Sequence, residues 1–369
     1  MHNANKQIVL TLDAGGTNFV FSAIQNFQEI TQPLSLAAIP DDIEACLNRI
    51  EEGFHIIKSQ LSDLPVAISF AFPGPADYKN GVIGDLPNFP AFRGGIALGA
   101  FLENKFGIPV FINNDGNLFA YGEALYGTLP MINKWLQDVQ NPKQYQNLLG
   151  ITLGTGFGSG VVINKTLLTG DNGSGGDLWC WRNPKYPDWI IEESVSIRAI
   201  KRVYKELSGS SESGLSPKEI FEIAEGNGEG DRNAAIRSFE ELGILAAEII
   251  AGALTLIDGL LVIGGGLSGA AKYILPGMLK TLRQNIKVAN GVTFPRMQNE
   301  IFDLTNAKDR KMFLKPVNKQ VRITQSDNYA NYDIAGRTGI ITSLIGANRA
   351  VMCGAYAYAI QQLDKRYSV

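Results

Sequence analysis

Five stretches of the chain combine residue types that phosphate chemistry uses. In Asp13-Ala14-Gly15-Gly16-Thr17-Asn18 an apolar run delivers a carboxylate, then a turn without side chains, then a hydroxyl. Glycines let backbone N–H groups approach phosphate oxygens closely. Asp13 could hold Mg2+ through water, because that ion keeps its hydration and takes few carboxylates. The same residues also suit an ordinary hairpin turn in which Asp13 bonds its own backbone. Leu153-Gly154-Thr155-Gly156-Phe157-Gly158-Ser159-Gly160 repeats the glycine-and-threonine pattern, either as a second phosphate loop or as a glycine-rich hairpin. It is not a Walker A loop, since no Gly-Lys-Ser/Thr follows, and a strand rather than a helix comes next, unlike a dinucleotide fingerprint.

Asn113-Asn114-Asp115-Gly116-Asn117 lies between a short apolar run and a helical stretch. There Asp115 could accept the proton of a hydroxyl that attacks a phosphoryl group. It could equally cap the helix, a position Asp favours. Residues 262–269, with Gly264-Gly265-Gly266, read as a strand, a glycine turn and a helix that could admit adenine and ribose against bare backbone. Glu192-Glu193-Ser194 opens a helix, and its carboxylates either bond substrate hydroxyls or favour the helix N-terminus electrostatically.

The elements that must position these residues follow from periodicity. Runs 7–13 and 19–24, joined through Gly15-Gly16, predict a β-hairpin. Helical spacing over 41–60, and stretches 98–106, 117–126, 191–207, 216–226 and 351–363, predict helices. A long amphipathic helix carries Phe239, Leu242, Ala246, Ile249, Ile250, Ala253 and Ile257 on one face. Strands are expected at 64–72, 110–113 and 260–263, and on either side of the glycine cluster in 146–163. Residues 287–335 are polar and irregular and read as an insertion. Strands alternating with helices predict an α/β protein. The two glycine-led strand pairs suggest duplicated lobes, with a nucleotide site between them.

Composition excludes other chemistries. The chain has 369 residues and a net charge of −3, without the basic excess of a nucleic-acid binder. It has two histidines, His2 and His55, and three cysteines, Cys46, Cys180 and Cys353, none in a CxxC pair. A histidine-rich metal site and a zinc ribbon are therefore out, and His55 has no nucleophile motif beside it. Scattered cysteines fit a reducing compartment. No signal peptide is evident and no apolar run reaches the ~20 residues of a membrane helix, so a soluble, cytoplasmic protein is expected. Glycine, at 40 residues, is enriched, and nine fall within 150–176.

The order of the motifs is more specific than any one of them. The Asp-Ala-Gly-Gly-Thr hairpin is followed by Phe72-Pro73-Gly74-Pro75, Pro87-Asn88-Phe89-Pro90, Asn114-Asp115, the second glycine loop, Arg198-Ala199-Ile200 and the triple glycine. With Gly346-Ala347-Asn348 and Gly354-Ala355 near the end, this series closely resembles the ROK (repressor, open reading frame, kinase) family of sugar kinases. The resemblance covers nearly the whole chain. It implies a two-lobed actin-like and hexokinase-like ATPase fold, built from duplicated ribonuclease H-like lobes with a nucleotide and sugar cleft between them. Residues 1–125 would form the N-terminal lobe, with helix 351–369 packing back on it, and 126–350 the C-terminal lobe, with an insertion at 287–335.

The same resemblance implies roles. Asp13 would organise Mg2+, with Gly15, Gly16, Thr17 and Asn18 near the transferred phosphate. Asp115 would be the base. Asn88, Asn114, Asp177 and Glu192 would hold sugar hydroxyls. Gly154, Thr155 and Gly156 would contact nucleotide phosphate, and Gly265 and Gly266 the nucleoside. Expected partners are ATP, a hexose and a second copy of the chain, with no nucleic acid and no membrane. Where relatives carry Ala-Gly-Glu-x-Gly-His and then a zinc-binding cysteine cluster, this chain has Gly175-Gly176-Asp177-Leu178-Trp179-Cys180. Asp177 replaces the glutamate and Cys180 stands at the histidine position, and no cysteine follows up to Trp189. One thiol does not make the four ligands of structural zinc, so no zinc is expected. A repressor of the family carries a helix-turn-helix domain before the first hairpin, whereas 12 residues precede Asp13 here. The expectation is an ATP-dependent hexose kinase acting on the C6 hydroxyl of glucose or a related sugar. The alternative is a sugar-binding regulator or a catalytically degenerate member.

Overall fold

The computed structural model describes residues 6–14, 18–86, 89–209, 214–316, 319–332 and 336–367. By contact the chain forms two units, one of Met1–Gly127, Gly160–Gly176 and Ile345–Val369, the other of Thr128–Ser159 and Asp177–Leu344.

The first unit begins with strands β1 (Ile8–Ala14), β2 (Asn18–Gln25), β3 (Gln28–Glu29) and β4 (Leu34–Ala37), then helix α1 (Ile43–Ser59). Strands β5 (Ala67–Ala71), β6 (Ala76–Asp77) and β7 (Val82–Ile83), helix α2 (Leu98–Phe106), strand β8 (Val110–Asn113) and helix α3 (Asp115–Leu125) follow. The expected hairpin is present: β1 and β2 are antiparallel, with Ile8 opposite Gln25 and Ala14 opposite Phe19. The sheet runs β3-β2-β1-β5-β8 with β4 also on β2, and β1, β5 and β8 are parallel.

Alternation along each strand sorts side chains between two faces. Ile8, Leu10, Leu12, Ile68, Phe70 and Ile112 join a phenylalanine-rich core with Phe21 and Phe54. Val9, Ala67 and Phe111, one residue out of step, pack instead with Tyr356, Ala359 and Leu363 of the C-terminal helix. Helix α1 buries Ile50, Phe54 and Ile57 of the expected stripe together with Cys46, while Ile43 and Leu47 of that stripe are only partly buried, and Asp42 caps it by accepting the Ala45 N–H at 3.0 Å.

Further along the chain lie α4 (Thr128–Asp138), β9 (Leu148–Leu153), β10 (Phe157–Ile163), β11 (Thr166–Leu167), α5 (Ile197–Ser208), α6 (Pro217–Glu225) and α7 (Arg232–Ile257). Then come β12 (Leu260–Gly264), α8 (Ala271–Arg283), β13 (Asn285–Lys287), β14 (Thr293–Pro295), β15 (Glu300–Asp303) and α9 (Ala307–Leu314). Strands β16 (Lys319–Arg322), β17 (Tyr329–Tyr332) and β18 (Arg337–Thr342) precede helix α10 (Ala347–Tyr367), which belongs to the first unit. A second six-stranded sheet has the order β11-β10-β9-β12-β18-β15. Strands β9, β12, β18 and β15 are parallel. Strand β12 is buried along its whole length, as a parallel strand covered on both faces must be.

Three expectations change. Residues 160–176, expected in the second lobe, cluster with the first unit. A Cβ at Gly160 would lie 2.5 Å from the Gly116 carbonyl, so this stretch is pressed onto the start of α3. Residues 287–335 are not irregular throughout: Glu300–Asp303 pairs in register with Arg337–Ile340, and two hairpins flank it. The helix expected over 191–207 is broken. Ile191–Ser194 is a 3-10 turn, and α5 begins only at Ile197, whose N–H is drawn to the Gly154 carbonyl at 2.9 Å.

Candidate active site

In the first unit, register brings candidate residues to one edge. Asp13 on β1 pairs with Ala71 on β5, and Ala71 with Asn113 on β8. At roughly 4.8 Å per strand, Asp13 and the end of β8 are two strand widths apart. Both sit at the carboxyl ends of parallel strands, where α/β sheets bind ligands.

Helix α3 starts at once after β8. Buried Asn113 fixes the turn, its Oδ1 accepting the Asn114 N–H at 2.8 Å and the Asn117 side-chain amide at 3.0 Å. Asn114 is the cap: its Oδ1 accepts the Asn117 N–H at 2.6 Å. This overturns the reading of Asp115 as N-cap. Asn114 in turn has its carbonyl oxygen committed to the cap, leaving its amide N–H groups for a ligand. Asp115 is the first helical residue, with Oδ1 accepting the Gly116 N–H at 2.9 Å. The residue is exposed by its solvent-accessible area, yet the protein packed around its carboxyl desolvates it and raises it above the ordinary carboxylate range. Asp13 is half-buried and also raised, first by burial and then by the like charge of Asp115. Asn18 is exposed at the start of β2, opposite Ala37. Gly15, Gly16, Thr17 and Asn88 lie outside the described residues.

In the second unit the glycine loops adjoin. Strands β9 and β12 pair in parallel with Thr152 beside Gly264, so both loops leave the same sheet edge. Gly265 has φ +84, and a Cβ there would strike the Leu153 carbonyl, so only glycine fits. Gly154 and Gly266 face open space.

The carboxylate of Glu192 is built into the first of these loops. Its Oε2 accepts the Phe157 N–H at 3.0 Å, and a Cβ on Gly156 would come within 2.6 Å of the same oxygen. Arg198 donates to Glu192 Oε1 at 2.9 Å, to Glu193 Oε1 at 2.7 Å and to the Thr155 carbonyl at 3.2 Å. Glu192 therefore clasps the loop, and each of its carboxylate oxygens can accept a further hydrogen bond. Asp177 is joined to this group through Trp179, whose indole donates to the Asp177 carboxylate and whose carbonyl accepts the Glu192 N–H at 3.3 Å. Burial raises the Asp177 carboxyl, and the Trp179 hydrogen bond partly offsets this.

Thus Asp13, Asn114 and Asp115 gather in one unit, and Gly154, Thr155, Gly156, Asp177, Glu192, Gly265 and Gly266 in the other. In the sequence Arg198 has no role beyond its place in the motif series. Arg198 lies six residues beyond Glu192, and only the 3-10 break brings it back onto the loop. Among the described residues no group of three His, Cys, Asp or Glu side chains could hold a metal ion, and Cys180 is a free, exposed thiol. Among them, too, no helix is long and apolar enough to cross a membrane.

Two sheets with parallel strands, one with carboxylates and the other with glycine loops at the strands' carboxyl ends, define an α/β protein with the strand ends at which such sheets bind ligands. The sequence pattern of the ROK family matches residues 9–301, and the chain belongs to that family. It has the actin-like and hexokinase-like ATPase fold of the family's sugar kinases. It resembles the crystal structure of a glucokinase from Parabacteroides distasonis ATCC 8503 at 56% identity and TM-score 0.87, covering 98% of this chain and 99% of that one. The glucokinase of Thermotoga maritima is 28% identical over 287 residues, 72% of this chain and 84% of the relative. The N-acetyl-D-glucosamine kinase of Photobacterium profundum is 30% identical over 276 residues, 69% and 83% of the two chains.

Proposed function

We propose that this protein transfers the γ-phosphoryl group of ATP to the C6 hydroxyl of glucose or a related hexose, with Asp115 as general base. Its class, an ATP-dependent sugar kinase, rests on the family match and on 56% identity to a glucokinase. The observation that carries the finer reading is the beginning of α3. Asn114 takes over the capping, so Asp115, an exposed residue at the end of β8, is not the cap and stands at the same sheet edge as Asp13.

A sugar hydroxyl is a poor nucleophile near neutral pH. Asp115 accepts its proton as the oxygen attacks the γ-phosphorus. The bond from that phosphorus to the bridging oxygen breaks, and ADP leaves with the electron pair. Most of the acceleration comes from holding the hydroxyl in line. Asp13 would hold the Mg2+ that accompanies the nucleotide, and that ion would neutralise charge on the phosphates. Asp13 fits it, because its carboxylate and that of Asp115 repel each other and a cation relieves that repulsion. Glu192, Asp177 and Asn114 bind sugar hydroxyls, and the backbone of 154–156 and 265–266 lies along the nucleotide. Zinc has no part in this reading. A cytoplasmic homodimer belongs to it, and solution size measurement checks the dimer.

Arg198→Met releases both Glu192 and the Thr155 carbonyl. The expected outcome is a kcat/KM for sugar lowered by roughly tenfold to a hundredfold, the scale of a displaced positioning group. Tm should hardly move, because exposed ion pairs contribute only about 0–1 kcal/mol. Steady-state kinetics beside a thermal melt checks this.

The test of the function is a coupled ADP-release assay across hexoses and N-acetylhexosamines. Sugar-stimulated turnover on glucose or a close analogue is the expected result. If no sugar in a broad panel stimulates ADP release, the protein is a sugar-binding regulator or a degenerate member instead.

A further inference from the structure

Residues 181–194 fold around one buried amide. Asn183 is fully buried, and its side chain uses both acceptor lone pairs and both N–H groups. Its Oδ1 accepts the Lys185 N–H at 3.0 Å and the Tyr186 N–H at 3.1 Å. Its Nδ2 donates to Ser194 Oγ at 2.7 Å and to the Ile190 carbonyl at 3.4 Å. The Ile191 N–H donates to the Trp181 carbonyl at 2.7 Å. The 3-10 turn Ile191–Ser194 is thus tied at both ends to residues 181–190, with Glu192 between the ties. Helix α5 adds a clamp. The Arg202 guanidinium lies 4.9 Å from the centre of the Trp189 ring and 5.2 Å from that of Tyr186, and the two rings stack at 4.5 Å. Arg202 also donates to the Glu193 carbonyl at 3.1 Å. Residues 181–189, where the family resemblance implies a zinc-binding cysteine cluster, contain no cysteine, and among the described residues no three ligand side chains gather.

We propose that Asn183 and Arg202 are positioning residues that aim the Glu192 carboxylate, through side-chain hydrogen bonds and ring contacts and without a metal ion. In the sugar-kinase reading, on which this rests, Glu192 binds sugar hydroxyls. A single 3-10 turn has poor hydrogen-bond geometry and little stability of its own. Yet it is from this turn that Glu192 reaches the Phe157 N–H and Arg198. Breaking the Asn183 ties strands buried N–H and carbonyl groups, and that penalty keeps the turn in one geometry. The Arg202 guanidinium is held by the faces of two rings and in turn holds the Glu193 carbonyl, next to Glu192. A misplacement of about 1 Å at a positioning group costs about a hundredfold in rate. Loosening either tie therefore reaches the sugar through Glu192.

A double-mutant cycle on sugar-stimulated ADP release by the full chain tests this. Asn183→Ala and Arg202→Met should each lower kcat/KM for glucose about tenfold or more when Glu192 is present. Once Glu192→Ala has removed the carboxylate, the same substitutions should cost at most about twofold. Metal analysis of the purified chain should find no stoichiometric zinc. The Arg202 side chain is partly exposed, so Arg202→Met decides the test if Asn183→Ala does not fold. A merely structural role gives the same loss with and without Glu192, and that result overturns the proposal. So does an unchanged kcat/KM in Arg202→Met and Asn183→Ala alike, and so does one zinc bound per chain. If the native protein shows no sugar-stimulated ADP release, the sugar-kinase reading itself fails and this proposal falls with it.

Discussion

Asp115→Asn lowers kcat by at least the ~10²-fold typical of general base catalysis, and leaves sugar binding nearly intact. Asparagine keeps the Oδ1 that accepts the Gly116 N–H, and Asn114 still caps the helix, so α3 starts as before. What disappears is the capacity to take up a proton. In the native protein, kcat/KM should fall with decreasing pH as Asp115 protonates. Because burial raises its carboxyl, that limb lies above the ordinary carboxylate value of about 3.9.

The same substitution has a stability signature. A carboxyl raised by folding stabilises the native state only while protonated. Its contribution is complete below the unfolded value and is lost as pH rises through the folded value. At neutral pH the native chain therefore carries an unfavourable charge that Asp115→Asn removes. The variant should melt at or above the native temperature at pH 7, and the advantage should vanish towards the ordinary carboxylate range. Thermal melts at several pH values check this. A variant that is both inactive and unstable at pH 7 would count against the assignment.

Gly354→Ala is expected to be the most damaging small substitution in the first unit. Helices α3 and α10 cross so closely that a Cβ at Gly354 would overlap the Leu118 carbonyl, and one at Gly122 the Ala350 carbonyl. These contacts are with backbone, so no flexible side chain can yield. Overpacking costs about 1–3 kcal/mol where side chains relax, and this site should reach about 3 kcal/mol or more. Tm should fall by about 6 °C or more. Gly269→Ala, where the added methyl meets open space, is the control. An unchanged melt for Gly354→Ala would show that the two helices separate easily.

What was legible in the sequence is what local chemistry dictates. The stripe Ile50, Phe54 and Ile57 announced α1, and the apolar runs before Gly15 and Gly154 announced their strands, because periodicity and breaker residues act within a few positions. Asp115 was legible as a candidate and ambiguous as a cap. Only the dihedral angles at Asn114 decide which of two adjacent polar residues caps the helix. The end of the helix expected at 191 was misplaced because a tertiary bond, Ile197 to Gly154, sets it. Strands β15 and β18 escaped notice because Glu300–Asp303 and Arg337–Thr342 are short and polar at their ends, and gain their partners only across the fold. Arg198 and Trp179 stand within motif stretches, but their contacts with Glu192 and the loop come only from the fold.

The central claim is that one carboxylate, Asp115, activates a hexose hydroxyl toward ATP. The most direct measurement is a phosphorus NMR time course of native protein and Asp115→Asn, each with glucose and Mg·ATP. Glucose 6-phosphate and ADP should appear in equal amounts with native protein, and at least about a hundredfold more slowly with the variant. Sugar phosphate formed at the native rate by Asp115→Asn, or ATP consumed by the native protein without sugar phosphate, would contradict it.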